Sequence, residues 1–109
     1  MFDQDSSQLR RQQRFLNEVE VAIRDANRAI IHERIPGLDR QRFVTFATFV
    51  AQLRADYLAA ALSIQLAPGE DARATAVAAL RVKRRAFIEG RDAFAALERA
   101  VERGYVDID

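Results

Sequence analysis

This 109-residue chain predicts an all-α fold: an elongated antiparallel up-down-up three-helix bundle that ends in a short non-helical C-terminal tail. Three observations lead there. The only prolines are each followed by glycine, at Pro36-Gly37 and Pro68-Gly69, and each pair reads as a turn. The stretches between them are rich in alanine, leucine, arginine and glutamate, all good helix formers. Apolar residues recur at steps of three, four and seven instead of alternating.

Each element follows from these signals. Helix one is expected over about 7–35, with Ser6 or Ser7 as its cap. Its apolar line runs through Leu9, Leu16, Val19, Ile23, Ala26 and Ile30. Helix two is expected over about 39–67, with Asp39 as N-cap and an apolar line through Phe43, Phe46, Val50, Leu53, Tyr57 and Ile64. Helix three is expected over about 70–103. Glu70 and Asp71 suit the positive end of its dipole, and Leu80, Phe87, Phe94 and Val101 recur every seven residues. Gly90 interrupts that helix at a cost of about 1 kcal/mol relative to alanine, which makes sense if an aromatic ring of helix two needs the room. The tail "YVDID" is expected to be extended or disordered. Helices of this length, each about 45 Å at about 1.5 Å per residue, joined by short turns, pack antiparallel in one domain spanning 1–109.

Composition removes several kinds of function. The chain has no cysteine, so it has no disulfide framework, thiolate metal site or thiol nucleophile. The N-terminal residues "MFDQDSSQLRRQQ" lack the apolar core of a signal peptide, and a cytoplasmic location is expected. The most apolar stretch, Phe43 to Leu66, carries Arg54 and Asp56 at its centre. Each such charge would cost about 2.5–3.5 kcal/mol inside a bilayer, so it is not read as a membrane span. A net charge of +1 provides no global field for nucleic acid or membrane. The cations are almost all arginine, which fits a GC-rich, bacterial genome. One histidine, His32, cannot build a triad with Ser6, Ser7 or Ser63, and Glu33 beside it points elsewhere on the helix. His32 is read as a weak C-terminal cap. No enzyme, cofactor or metal is expected.

The informative stretch is "RFVTFATFVAQL", residues 42–53. In helix two, Thr45, Thr48, Gln52, Asp56 and Ser63 gather on a narrow polar stripe, leaving an apolar arc of roughly 240°. A surface helix needs only about 100°. The excess predicts a second partner, by default another copy of the chain in a twofold dimer. Phe46, Val50, Leu53 and Tyr57 are assigned to the core. Val44, Phe49, Ala51, Leu58 and Leu62 are the candidate interface, either along the Phe49 edge or along the small-residue side. Arg54, inside the arc, is expected to pair with Glu20.

The competing site is basic. "RVKRR" supplies Arg81, Lys83, Arg84 and Arg85, a candidate anion or nucleic-acid patch. Asp56, Glu18 and Glu20 are expected to neutralise it, and it lacks interleaved aromatics for base stacking. The functional expectation is therefore a non-enzymatic helical protein–protein interaction module, an adaptor, assembly or regulatory protein that self-associates through helix two. The alternative is an export-type chaperone, of the secretion or flagellar kind, that shields an amphipathic client helix. A nucleic-acid binder ranks third.

Overall fold

The computed structural model describes residues 2–108. Among them the chain is all-α, with three helices and no strand. These are α1 (Phe2–Arg34), α2 (Arg40–Ser63), which runs on into a 3-10 turn (Ile64–Leu66), and α3 (Glu70–Glu102).

The boundaries have local causes. α1 begins at Phe2, so Ser6 and Ser7 lie inside the helix and are not its caps. No glycine or proline in that polar run stops the helix from propagating toward the N-terminus. Asp39 does cap α2: its backbone is extended and its Oδ1 accepts a hydrogen bond from the Arg42 N–H at 2.9 Å. Such a cap contributes about 1 kcal/mol. α2 tightens into the 3-10 turn and ends at Ala67, which is extended because the ring of Pro68 disfavours a helical residue before it. Gly69 then takes a φ of +98°, and its carbonyl accepts from the Arg73 N–H at 3.0 Å to open α3.

The chain falls into two compact units, one holding the residues up to Leu38 together with Ala100–Ile108, the other holding Asp39–Arg99. The second is an antiparallel hairpin of α2 and α3. Its contacts are aromatic. Phe94 meets Phe43 edge-on at 6.1 Å and stacks on Phe46 at 6.2 Å, while Phe87 stacks on Tyr57 at 5.9 Å. Val50, at 6% exposure, is the one buried core residue among the described ones. Phe46, Leu53, Tyr57, Leu80, Phe87 and Phe94 are half-buried around it. The core is therefore thin, as expected where one helical face meets one other.

Gly90 sits directly against the side chains of α2. A Cβ there would lie 2.8 Å from Leu53 Cδ1 and 3.6 Å from Val50 Cγ2. The sequence correctly points to a need for space at Gly90, but the occupant is the Leu53 methyl and not an aromatic ring.

In the first unit the C-terminal segment folds back on the end of α1. Gly104, at φ +76°, reverses the chain. Its N–H donates to the Val101 carbonyl at 3.0 Å, and the Tyr105 N–H donates to the Ala100 carbonyl at 2.8 Å. This pair of bonds is the Schellman arrangement, in which a left-handed residue satisfies the last helical carbonyls. Arg28 then grips the tail: its Nη1 donates to the Gly104 carbonyl at 3.0 Å and to Asp107 Oδ1 at 3.1 Å, and its Nη2 donates to Asp107 Oδ2. Tyr105 and Val106 are half-buried as a result. The described part of the tail is non-helical, as expected, and is hydrogen-bonded to α1 through Arg28; Asp109 lies outside the described residues.

Gly104→Ala should cost about 1–2 kcal/mol for forcing a Cβ into left-handed backbone. The new Cβ would also stand 3.3 Å from Arg24 Cδ. The expected signature is faster hydrogen exchange at the Tyr105 amide, with the α2–α3 amides unchanged.

Candidate functional site

The excess apolar surface of α2 is exposed in the structure. The face toward α3 takes Phe43, Phe46, Val50, Leu53 and Tyr57, as the sequence assigns for the last four. Outside it, Val44 is 54% exposed, Leu58 54% and Leu62 66%. Ala51 is exposed as well. Val44, Ala51 and Leu58 are seven residues apart and Leu62 follows four on, so these four form one straight stripe. Leu66, in the 3-10 turn, continues it at 80% exposure.

Phe49 does not belong to that stripe. At about 100° per residue it lies about 150° round the helix, on the other side of the core face. It is 50% exposed, and its ring stands 6.3 Å from Phe46, extending the aromatic cluster outward. The structure brings together four of the five candidate interface residues and leaves the fifth apart.

Arg54 also departs from expectation. Its guanidinium lies 5.0 Å from the centre of the Phe87 ring, and Arg91 approaches the same ring at 5.6 Å. The Phe87 ring gives the Arg54 guanidinium a partner without a carboxylate, each such cation–π contact contributing about 0.5–1 kcal/mol at exposed sites. The arginine reaches toward α3 and leaves the Val44–Leu62 stripe uncharged along its length.

The basic cluster is exposed at Arg81, Lys83, Arg84 and Arg85. Among the described residues the ion pairs are Arg28–Asp107 and Arg91–Asp92, so Asp56 does not neutralise Arg81 as the sequence suggested. Lys83 projects from a different side of α3 than Arg81 and Arg85, which stand four residues apart on one face. The four cations therefore do not converge on one anion.

A third feature was not read from the sequence. Arg28, His32, Ile35, Leu38, Tyr105 and Asp107 help to frame a hollow of about 450 Å³ between the end of α1 and the tail. The Arg28 guanidinium is held above its usual pKa, first by its hydrogen bonds to Asp107 and then by the charges of Asp107 and Asp25. Gly104 one residue before an aromatic was the available signal for the chain reversal. Nothing in the spacing announced that Asp107 would meet Arg28, seventy-nine positions away. Among the described residues no three His, Asp or Glu side chains are grouped to hold a metal, and no helix is long and apolar enough to cross a membrane. The chain matches no known family model, curated protein or solved structure.

Proposed function

We propose that this chain is a helical protein–protein interaction module that associates with a second copy of itself through α2. One observation carries the reading: Val44, Ala51, Leu58 and Leu62 form an exposed apolar stripe on a helix of which another face is already engaged by α3. Contiguous exposed apolar surface of this kind marks interfaces. The occupant is a second copy because the stripe is self-complementary. Asp56 is the only acid in α2, and no charge lies on the stripe itself to repel its symmetry mate. Ala51 and Ala55 allow close approach of two helices, and a twofold axis covers the same patch on both chains at once.

Sedimentation equilibrium at micromolar concentration tests it. The expected result is a species of at least twice the 12.3 kDa chain mass. A monomer of 12.3 kDa would remove the self-association reading, and an accompanying gain in helix stability on adding an amphipathic peptide would favour a client-shielding role.

A further inference from the structure

The first helix carries a second exposed apolar stripe, independent of the one on α2. Every residue from 5 to 18 is exposed. Leu9, Leu16, Ile23 and Ile30, each seven residues from the next, are 64%, 53%, 47% and 55% exposed, and Phe15 beside them is 62% exposed. A regular seven-residue repeat on one helix is the pattern that seats against another helix as a coiled coil.

The charges along α1 say what kind of helix fits. Between Ser6 and Asn17 there are three cations, Arg10, Arg11 and Arg14, and no acid. From Glu18 to Asp25 there are three acids, Glu18, Glu20 and Asp25, against Arg24 alone. A parallel copy would set each block against its like. An antiparallel copy sets the basic block of each helix against the acidic block of the other, twice over. The midpoint between the two blocks falls near Leu16. Pairing about that point lays Leu16 against its own counterpart and Leu9 against Ile23, so the apolar line and the charge blocks are satisfied in the same register.

We infer that α1 pairs antiparallel with α1 of a second copy of this chain, about a twofold axis near Leu16. This surface is carried by α1, and the stripe of the proposed function by α2. A chain with two such twofold surfaces assembles beyond a dimer, into a closed tetramer if the axes permit and an open string if they do not.

The absence of cysteine makes the test direct. Leu9→Cys, Leu16→Cys and Ile30→Cys chains are each oxidised and run on a non-reducing gel. A disulfide needs Cα atoms within about 7 Å. Near the axis Leu16→Cys should cross-link to itself in high yield. Leu9→Cys should not, because its own counterpart is about 20 Å away along the helix at about 1.5 Å per residue. Ile30→Cys should not link to itself either, because its own counterpart is about 40 Å away along the helix at about 1.5 Å per residue. Mixing Leu9→Cys with Ile23→Cys chains should give the cross-linked heterodimer. Self-linking at all three positions would show parallel pairing and overturn the antiparallel axis. Self-linking at none would overturn α1 pairing altogether. A second arm guards against accidental collision: Arg10→Glu with Arg14→Glu in the Leu16→Cys chain should lower the yield several-fold. Adding Leu58→Glu on α2 should leave the Leu16→Cys yield unchanged, so a failure here and a failure of the α2 surface are told apart.

Discussion

Phe94→Ala is expected to destabilise the α2–α3 hairpin by about 2–4 kcal/mol, somewhat below the figure for a fully enclosed phenylalanine because the ring is half-buried. The ring is the hub of the aromatic cluster, in contact with Phe43 at 6.1 Å and Phe46 at 6.2 Å. Removing it leaves the Phe43 and Phe46 rings facing a void in a core that is already thin. Domains of this size have about 5–15 kcal/mol in total, so the loss would show as a large fall in the denaturation midpoint. Phe87→Ala should fall in the same range, since it frees Tyr57 and strips two guanidinium groups of the ring they lie over. Phe49→Ala is the control. It is 50% exposed and touches the cluster only through Phe46, so its cost in the monomer should stay under about 1 kcal/mol. Equal losses at Phe49 and Phe94 would mean that the inward face of α2 has been misassigned.

The residues that fill this cluster were legible because a helix repeats every 3.6 positions and the chain obeys that period closely. Phe46, Val50, Leu53 and Tyr57 could be assigned to one face by counting, and they share it. The turns were legible for a different reason: proline and glycine constrain the backbone itself, whatever surrounds them. Gly90 could be marked as a place of close approach, yet which side chain filled it depended on how the two helices slid past each other, and that offset decides between Leu53 and a ring. Partners of charged groups were the least legible. Alignment by residue count gave Arg54 an acid and Arg81 an acid, but long flexible side chains choose among several neighbours of nearly equal energy. Arg54 took the ring of Phe87. The Arg28–Asp107 clasp was invisible because it needs the Gly104 reversal first, and only then does a carboxylate in the tail come within reach of α1. Periodicity also shows which face of a helix is apolar without showing what covers it. The stripes on α1 and on the flank of α2 look in sequence much like the stripe that meets α3.

Leu58→Glu should weaken association through α2 by roughly 100-fold or more. The side chain sits mid-stripe between Ala51 and Leu62 and is 54% exposed in the single chain, so replacing it costs the monomer little, within about 0.5 kcal/mol for an ordinary surface change. In a twofold pair the same glutamate would be buried twice, and the cation one turn away, Arg54, is already engaged over the Phe87 ring. A buried, unpaired charge costs about 3–5 kcal/mol, and each 1.4 kcal/mol is a factor of ten in affinity. Leu62→Glu should act alike, whereas Thr45→Glu, on the polar side of α2, should do nothing. Sedimentation separates the surfaces when the variants are combined. Leu58→Glu alone should leave the pair held by α1, and Leu58→Glu with Leu16→Glu should sediment as the 12.3 kDa chain. An unchanged mass and dissociation constant for Leu58→Glu, with its helix content intact by circular dichroism, would remove the α2 stripe as an interface and leave α1 as the only association surface to pursue.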